Sequence, residues 1–212
     1  MMQLYTSAMP PNPRRVNQFV QYKNLELETQ QIDMMTAEQF SETYKAINPE
    51  STIPALVLDD GTLLNEVVGI CFYLESLYPS RPLLGTSGLE QALIVSAMHN
   101  IANTGFQAVA EVLRNGSKAF VNRALPGSLD LEQIPELILR GQKKLAHFYE
   151  RYDRQLQDRE YLVGTKLTQA DIDLRVLCDF AAVIKQRIPE HCEALLAHKN
   201  RISAEIPLPA SP

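Results

Sequence analysis

The sequence predicts an α/β domain over residues 1–79 followed by an all-helical domain over residues 89–212. Within the first 79 residues, strand and helix patterns alternate in the order β-α-β-α-β-β-α. Residues 80–88 then gather Pro, Gly, Ser and Thr, which is typical of a linker. After the linker the patterns are helical only. We therefore expect a small mixed sheet followed by a helical bundle.

Composition and charge exclude several classes of protein. The 212-residue chain is 45% hydrophobic and 21% charged, with a net charge of −5, which is ordinary for a globular protein. Lys and Arg never cluster beyond a pair, whereas a nucleic-acid surface needs a concentrated basic patch. No apolar run approaches the ~20 residues that span a bilayer, and no signal peptide is visible. We expect a cytoplasmic protein that binds neither nucleic acid nor a membrane.

Cysteine and histidine usage argues against disulfides and metals. The cysteines are odd in number and widely spaced (Cys71, Cys178, Cys192), which predicts free thiols in a reducing compartment. The sequence contains no C-x-x-C, which excludes dithiol redox chemistry. The four histidines have no metal-ligand spacing, so we expect no metal site.

The first helix is predicted to follow a proline-rich loop. Residues 3–6 are a short predicted strand, and residues 7–12 form the loop after it. Pro13 suits the first helical position and Asn12 the N-cap before it. One apolar face then repeats at helical spacing (Val16, Phe19, Val20).

A second strand and a second helix come next. Apolar and polar residues alternate over 25–32, which predicts a strand. Residues 36–47 are predicted to be a helix that ends at Asn48, because a residue before proline avoids the helical region. Since a helix joins the first two strands, we expect them to be parallel.

A hairpin entered by a proline is predicted to complete the sheet. Residues 55–58 and 62–64 are β-prone, and Asp60-Gly61 between them is a turn signal. Pro54 lacks a ladder donor and suits the position before a strand. The Ile53–Pro54 bond, being prolyl, has a realistic cis option.

Two helix starts carry informative polar residues. Asn65 is the expected N-cap of a helix that runs to Tyr78 and carries Glu66 in its first turn. Thr168 and Asp171 have the spacing of a capping box, which predicts the start of a later helix.

The remaining helices are predicted to form a bundle. Three long helices are predicted over residues 89–114, 133–156 and 168–185, and two shorter helices from about residue 189. A loop is predicted over residues 120–130, and a non-helical tail over residues 206–212.

Two markers in this pattern resemble one family. The first domain has the thioredoxin-like order of elements, and its proline-led hairpin with an acidic helix start resembles the glutathione-binding half of a glutathione S-transferase. The motif Gly164-x-x-Leu-Thr-x-Ala-Asp171 is similar to the signature near the start of the family's buried sixth helix. The chain resembles cytosolic glutathione S-transferases over essentially its whole length. Pro11-Asn12 is similar to a bacterial subgroup with Asn in the thiol-site loop (Nu-like).

The resemblance implies where glutathione, as co-substrate, binds. Glu66 matches the acid that holds the γ-glutamyl end, and Val67 stands where Ser or Thr is usual. Ile53, before Pro54, matches the residue whose backbone pairs with the cysteinyl backbone as an added strand would. The glycyl end is expected at one of two side chains (Thr52, Lys45).

The resemblance places the thiol at the loop after the first strand. As N-cap, Asn12 is expected to spend its side-chain oxygen on helix amides, which leaves its NH2 free to donate to the thiolate. Such a donor at the positive end of a helix lowers the thiol pKa. Ser7 is the alternative donor. Arg14 and Arg15 are expected to be solvated or to bridge the domains, or to hold the glycyl carboxylate.

The resemblance implies a second substrate between the domains, either a small hydrophobic electrophile or a disulfide. The residues that match its site lie in the first loop and the fourth helix (Met9, Pro10, His99, Asn103, Phe106). The same helix builds the two-fold interface in the family, so a homodimer is implied.

The function implied is a glutathione transferase whose thiolate attacks an electrophilic carbon, a disulfide or a peroxide. Resemblance to the Asn-containing subgroup favours disulfide reduction. A non-catalytic binding or scaffold protein of the same fold is one alternative, and Pro10 and Val67 favour it because each replaces a hydroxyl. A glutathione-assisted isomerase or lyase is the other, and it would consume no glutathione.

Overall fold

The computed structural model describes residues 2–207, which divide into two compact units. The first unit contains the residues up to Arg81 together with Pro126–Leu129, and the second contains Pro82–Leu125 and the residues from Asp130 onward. The elements are, in order, β1 (Gln3–Thr6), α1 (Pro11–Lys23), β2 (Glu28–Gln31), α2 (Glu42–Lys45), β3 (Ala55–Val57), β4 (Leu63–Leu64), α3 (Val67–Leu77), α4 (Gly88–Asn100), α5 (Gln107–Gly116), α6 (Glu136–Leu156), α7 (Gln169–Val183) and α8 (Glu193–Glu205). Over residues 2–207, each helix is too short or too polar to cross a bilayer.

The first unit contains a four-stranded mixed sheet and the second is helical, which confirms the predicted fold class. The strand order is β2-β1-β3-β4. β1 and β2 are parallel, as predicted, whereas β1 with β3 and β3 with β4 are antiparallel. The sheet therefore has the connectivity expected from its sequence order.

The second strand is shorter than predicted. β2 covers Glu28–Gln31 rather than residues 25–32, and all its residues are exposed. The Leu25 N–H donates to the Val20 carbonyl at 3.0 Å, so Leu25 still closes the end of α1. The alternation of apolar and polar residues that predicted a longer strand thus began at Leu25, in the turn that ends α1.

The prediction of one helix over residues 36–47 was wrong, because the segment is divided into two short helical pieces. A 3-10 turn over Glu38–Phe40 ends at Ser41, whose backbone is extended (φ −65°, ψ 151°). The Ser41 hydroxyl accepts a hydrogen bond from the Tyr44 N–H at 3.2 Å and so caps α2. A serine in this role interrupts a helix because its side chain competes for backbone hydrogen bonds.

The hairpin forms as predicted. The Leu58 N–H donates to the Thr62 carbonyl at 2.9 Å, and Gly61 has a φ of 85°, a conformation that favours glycine. The Asp60 carboxylate accepts from the Thr62 N–H at 2.9 Å, which lowers the pKa of Asp60. The Ile53–Pro54 peptide bond is cis.

The third helix begins one residue later than predicted. Glu66 occupies the N-cap with extended backbone (φ −110°, ψ 137°) and makes no side-chain capping bond, so Asn65 is not the cap. The first bond of the helix runs from the Ile70 N–H to the Glu66 carbonyl at 2.9 Å. Asn65 and Glu66 therefore connect the end of β4 at Leu64 to the first helical residue, Val67.

In the second unit, the helical run predicted over residues 89–114 is continuous from Gly88 to Gly116, but its winding changes. A π-helical turn over Ile101–Phe106 separates α4 from α5. A Cβ on Gly105 would overlap the Leu177 side chain and lie 2.8 Å from the Phe148 ring. Glycine therefore permits the close packing of this turn on α6 and α7.

The end of the chain departs from the prediction in one respect. The capping box of Thr168 and Asp171 is confirmed. Over the described residues, one helix (α8) follows in place of the two short helices predicted, because residues 189–192 form only a turn. Of the predicted non-helical tail, residues 208–212 lie outside the described residues. The three cysteines are buried and none is in a disulfide bond within residues 2–207, and burial raises the pKa of the Cys178 thiol.

Candidate functional site

The ends of β1 and β3 define one edge of the site. These strands are antiparallel, with Tyr5 opposite Ala55. The loop that leaves β1 therefore lies beside the residues that enter β3.

The start of α3 lies at the same end of the sheet. β3 and β4 are antiparallel, with Leu56 opposite Leu64. The chain therefore leaves β4 toward Glu66 at the end of the sheet where Pro54 enters β3. Three chain segments that are far apart in sequence thus lie at the same end of the sheet: the loop after β1, the entry to β3 and the start of α3.

Ser7 is held in place by a residue that the sequence analysis missed. Asn17 on α1 donates from Nδ2 to the Ser7 carbonyl at 3.3 Å, and its Oδ1 accepts from the Thr6 hydroxyl at 2.7 Å. Ser7 is only 7% exposed, so it is not the solvated residue that a loop position indicates. Its hydroxyl has no hydrogen-bond partner among residues 2–207. The one sequence feature that could have indicated this role is that Asn17 is a polar residue next to the apolar face of a helix.

The start of α1 differs from the prediction in a way that matters for the site. Its N-cap is Pro10 and its first residue is Pro11, so Asn12 is the second helical residue and not the N-cap. Pro10 already has the extended backbone of a cap (φ −70°, ψ 153°), and Pro11 suits the first helical position. Because Pro10, Pro11 and Pro13 lack an N–H, Asn12 carries the one backbone donor in this first turn.

The side chain of Asn12 is oriented by Arg15. Asn12 is exposed, and its Oδ1 accepts a hydrogen bond from Nη1 of Arg15 at 3.2 Å. The expected bond from Asn12 to helix amides was therefore wrong, but its oxygen is engaged all the same and its NH2 remains a donor. Arg15 is only 5% exposed, so of the alternatives given for this residue the solvated one was wrong.

The entry to β3 offers an unpaired stretch of backbone. Neither the N–H nor the C=O of Ile53 has a hydrogen-bond partner within residues 2–207, and Pro54 has no N–H to offer. The side chain of Ile53 is 9% exposed and packs in the core of the first unit with Tyr5 and Tyr44. The side chain is thus fixed inward while the backbone keeps one free donor and one free acceptor.

Thr52 is fixed by two further residues that the sequence analysis missed. Its carbonyl accepts from the Tyr44 hydroxyl at 2.7 Å and from Nδ2 of Asn48 at 2.8 Å. Burial raises the pKa of Tyr44 to about 12, so its hydroxyl stays a donor at neutral pH. Lys45, the other residue expected at the glycyl end, instead pairs with Glu42 at 3.1 Å on the surface.

The start of α3 offers a carboxylate and free amides together. Glu66 is exposed, and its carboxylate makes no hydrogen bond or ion pair with residues 2–207. With no side-chain cap, the N–H groups of the first turn of α3 remain available to an anion. Val67 is 3% exposed and supplies no polar group.

The residues predicted to bind the second substrate divide between the two units. In the first unit, Met9 is 61% exposed and Pro10 is half-buried. In the second, the exposed His99 and Asn103 contact each other, with Nε2 of His99 2.7 Å from Nδ2 of Asn103. Phe106 is half-buried at the end of the π-helical turn.

In chemical terms, this end of the sheet combines three kinds of group. The Ile53 backbone can pair with an extended peptide. Glu66 and the amides of α3 can hold an ammonium and a carboxylate. Ser7 and Asn12 are neutral donors that can stabilise a thiolate but cannot remove its proton as a base.

Comparisons with known proteins identify the family of the chain. The glutathione S-transferase N-terminal and C-terminal domain families match residues 11–77 and 140–208. Glutathione S-transferase 2 of Saccharomyces cerevisiae is 32% identical over 206 residues, which cover 95% of this chain and 85% of that protein. The structure of Gtt2 from the same yeast has a TM-score of 0.85 at 28% identity and covers 95% of each chain. A glutathione S-transferase domain-containing protein from Marinobacter aquaeolei has a TM-score of 0.86 at 26% identity, covering 95% of this chain and 97% of that one. The chain belongs to the glutathione S-transferase family.

Proposed function

We propose that this protein is a glutathione transferase that binds glutathione at the end of its sheet and stabilises the thiolate for attack on a second substrate. The observation that carries the proposal is the unpaired backbone of Ile53, at the end of the sheet where the Ser7 loop leaves β1 and where β4 leads into α3. A tripeptide with an extended backbone, a central thiol and one end that carries both an ammonium and a carboxylate matches these three features.

Glutathione would lie along the entry to β3. Its cysteinyl backbone would pair with the N–H and C=O of Ile53, next to Pro54, as an added strand pairs with a sheet edge. Its γ-glutamyl end would meet Glu66 through the ammonium and the α3 amides through the carboxylate. Val67 offers no hydroxyl to this end, and Thr52 would lie near the glycyl end.

The thiol would lie at the start of α1. Asn12 would donate its NH2 to the sulfur, and Ser7 is the second donor in reach of this end of the sheet. A hydrogen bond to the charged form favours that form, so the thiol pKa falls and the proton leaves to solvent. Catalysis would then consist of positioning and thiolate stabilisation.

Pro11-Asn12 supports a place in the Asn-containing, Nu-like subgroup, for which we propose disulfide reduction as the main reaction. The thiolate would attack one sulfur of the disulfide and form a mixed disulfide, while the other sulfur leaves as a thiolate. For an electrophilic carbon, the thiolate would form the C–S bond as the leaving group departs. The second substrate would contact Met9 and Pro10 of the glutathione-binding domain, and His99, Asn103 and Phe106 of the helical domain.

The first test is glutathione binding by calorimetry, with the thiolate absorbance of the complex followed against pH in the same sample. Binding with a depressed thiol pKa, together with turnover of bis(hydroxyethyl) disulfide or a chloronitrobenzene, supports the proposal. Binding without the pKa shift identifies a non-catalytic binding protein. Turnover that leaves glutathione unconsumed identifies an isomerase or lyase, and the absence of binding overturns the proposal.

Glu66→Gln is expected to weaken glutathione binding about tenfold, because it removes the charge that holds the ammonium while keeping the side-chain shape. The thiol pKa in the complex should not change, since Glu66 meets the other end of the tripeptide. Glu28→Gln on the exposed strand β2 makes the same charge change and serves as the control in calorimetry. Equal affinities for the two variants would remove Glu66 from the site.

We also propose a homodimer built on α4. Leu89 and Leu93 are 73% and 51% exposed and lie four residues apart, on one face of the helix. Burying this face against a second copy removes apolar surface from water. Leu93→Glu is expected to give a monomer in sedimentation velocity, whereas Val183→Glu, at a residue 74% exposed on α7, should remain a dimer. If wild-type protein sediments as a monomer, the dimer proposal fails.

A further inference from the structure

The geometry points to Arg15 as a positioning residue that sets the orientation of the Asn12 side chain, an inference that rests on the proposed function. Asn12 and Arg15 lie three residues apart on α1 and therefore on the same face of the helix. Nη1 of Arg15 donates to Oδ1 of Asn12 at 3.2 Å. Asn12 is exposed, whereas Arg15 is 5% exposed, so the buried partner holds the exposed one.

The orientation matters because an amide has two opposite ends. If the NH2 of Asn12 faces a thiolate, it donates and stabilises the charge, whereas its oxygen would repel the charge. A guanidinium has donors only, so it accepts nothing from the NH2 and can bind only the oxygen. Arg15 therefore selects the rotamer in which the NH2 is left for the ligand.

The proline-rich start of α1 makes this selection more important. Pro10, Pro11 and Pro13 supply no N–H, so the helix end has the backbone donor of Asn12 and no other in its first turn. An ordinary helix start would supply several amides whatever the orientation of one side chain. Here the side chain of Asn12 carries a larger share of the donor capacity, and Arg15 determines whether that side chain donates.

The charge of Arg15 adds a second effect in the same direction. A cationic donor on Oδ1 polarises the amide and makes the opposite NH2 a stronger donor. The burial of Arg15 keeps the guanidinium from turning into solvent, so the polarisation is maintained in each turnover. Arg15 thus acts through Asn12 and does not touch the substrate.

The test is a double-mutant cycle on the thiol pKa of bound glutathione, measured as thiolate absorbance against pH. Arg15→Met is expected to raise this pKa by about half a unit to one unit, a threefold to tenfold loss of thiolate at a pH below both values. The same substitution in the Asn12→Ala background should leave the pKa unchanged, because the residue through which Arg15 acts is gone. The affinity for glutathione, measured by calorimetry, should change little in either background. Thermal unfolding serves as the control that each variant is folded.

Arg15→Lys keeps the buried charge and is the variant to use if Arg15→Met does not fold. Lysine replaces the planar guanidinium with a single ammonium on a flexible chain. We therefore expect a smaller rise in the thiol pKa than for Arg15→Met, and this rise should again depend on Asn12. Equal shifts with and without Asn12 would overturn the inference and make Arg15 a direct electrostatic group. If Asn12→Ala itself leaves the thiol pKa unchanged, it is the proposed role of Asn12 that has failed.

Discussion

Asn12→Ala is expected to remove most of the thiolate stabilisation while glutathione stays bound. A hydrogen bond to a charged group contributes roughly 1.5–3 kcal/mol, which corresponds to a rise of about one to two units in the thiol pKa. At a pH below both thiol pKa values, kcat should fall about tenfold to a hundredfold, whereas KM for glutathione should hardly change. Binding is retained because Ile53 and Glu66, which hold the rest of the tripeptide in the proposal, are untouched.

The pH dependence of this variant gives a sharper readout than its activity at one pH. A donor to the thiolate lowers the thiol pKa, so its removal raises the pKa and moves the activity profile to higher pH. The deficit should be full below the wild-type pKa and should shrink as the pH rises through the pKa of the variant. Ser7→Ala is the matched comparison, since Ser7 is the other donor at the end of β1. A larger pKa rise for Ser7→Ala would transfer the main role to Ser7.

Asp171→Ala is expected to be the most destabilising single change considered for this protein. The fully buried carboxylate accepts from the Leu162 N–H at 2.8 Å and from Nε2 of His198 at 2.9 Å through Oδ1. Through Oδ2 it accepts from the Thr168 N–H at 2.9 Å and the Thr168 hydroxyl at 2.7 Å. The substitution leaves these buried donors without an acceptor, which we expect to lower the free energy of unfolding by about 4 kcal/mol.

Urea denaturation, monitored by circular dichroism, measures this loss of stability. The urea concentration at the midpoint should fall, while the dependence of the free energy of unfolding on urea concentration stays the same. Asp158→Ala is the control, because Asp158 is an exposed acid two residues after the end of α6 and makes no hydrogen bond among the described residues. It should change stability by less than about 0.5 kcal/mol. Similar midpoints for the two variants would show that the buried network contributes little.

The elements that could be predicted are those whose signal is local. The order of strands and helices follows from the period of apolar residues, and the Asp60-Gly61 turn and the Thr168–Asp171 capping box need only their own neighbours. The errors lie where two local signals compete. Ser41 could be a helix residue or a cap, and Pro11 or Pro13 could open α1. In each case the sequence permits both, and the rest of the fold decides.

The site divides in the same way. Glu66, Ile53 and Asn12 could be proposed from the sequence because each belongs to a short recognisable stretch: a helix start, a prolyl bond and a proline-rich loop. Asn17, which holds the Ser7 loop, could not be proposed, because a polar residue on a helix has no local mark that distinguishes a partner from a solvated side chain.

By itself, the sequence determined the fold class, the hairpin, the place of the capping box and the resemblance to glutathione S-transferases. Only the tertiary structure decided that the loop after β1, the entry to β3 and the start of α3 lie at the same end of the sheet, because strand register is a contact between distant segments. Only the structure decided that the oxygen of the Asn12 amide binds Arg15 rather than helix amides. That choice depends on the burial of Arg15, and burial is a property of the whole packed unit rather than of any stretch of chain.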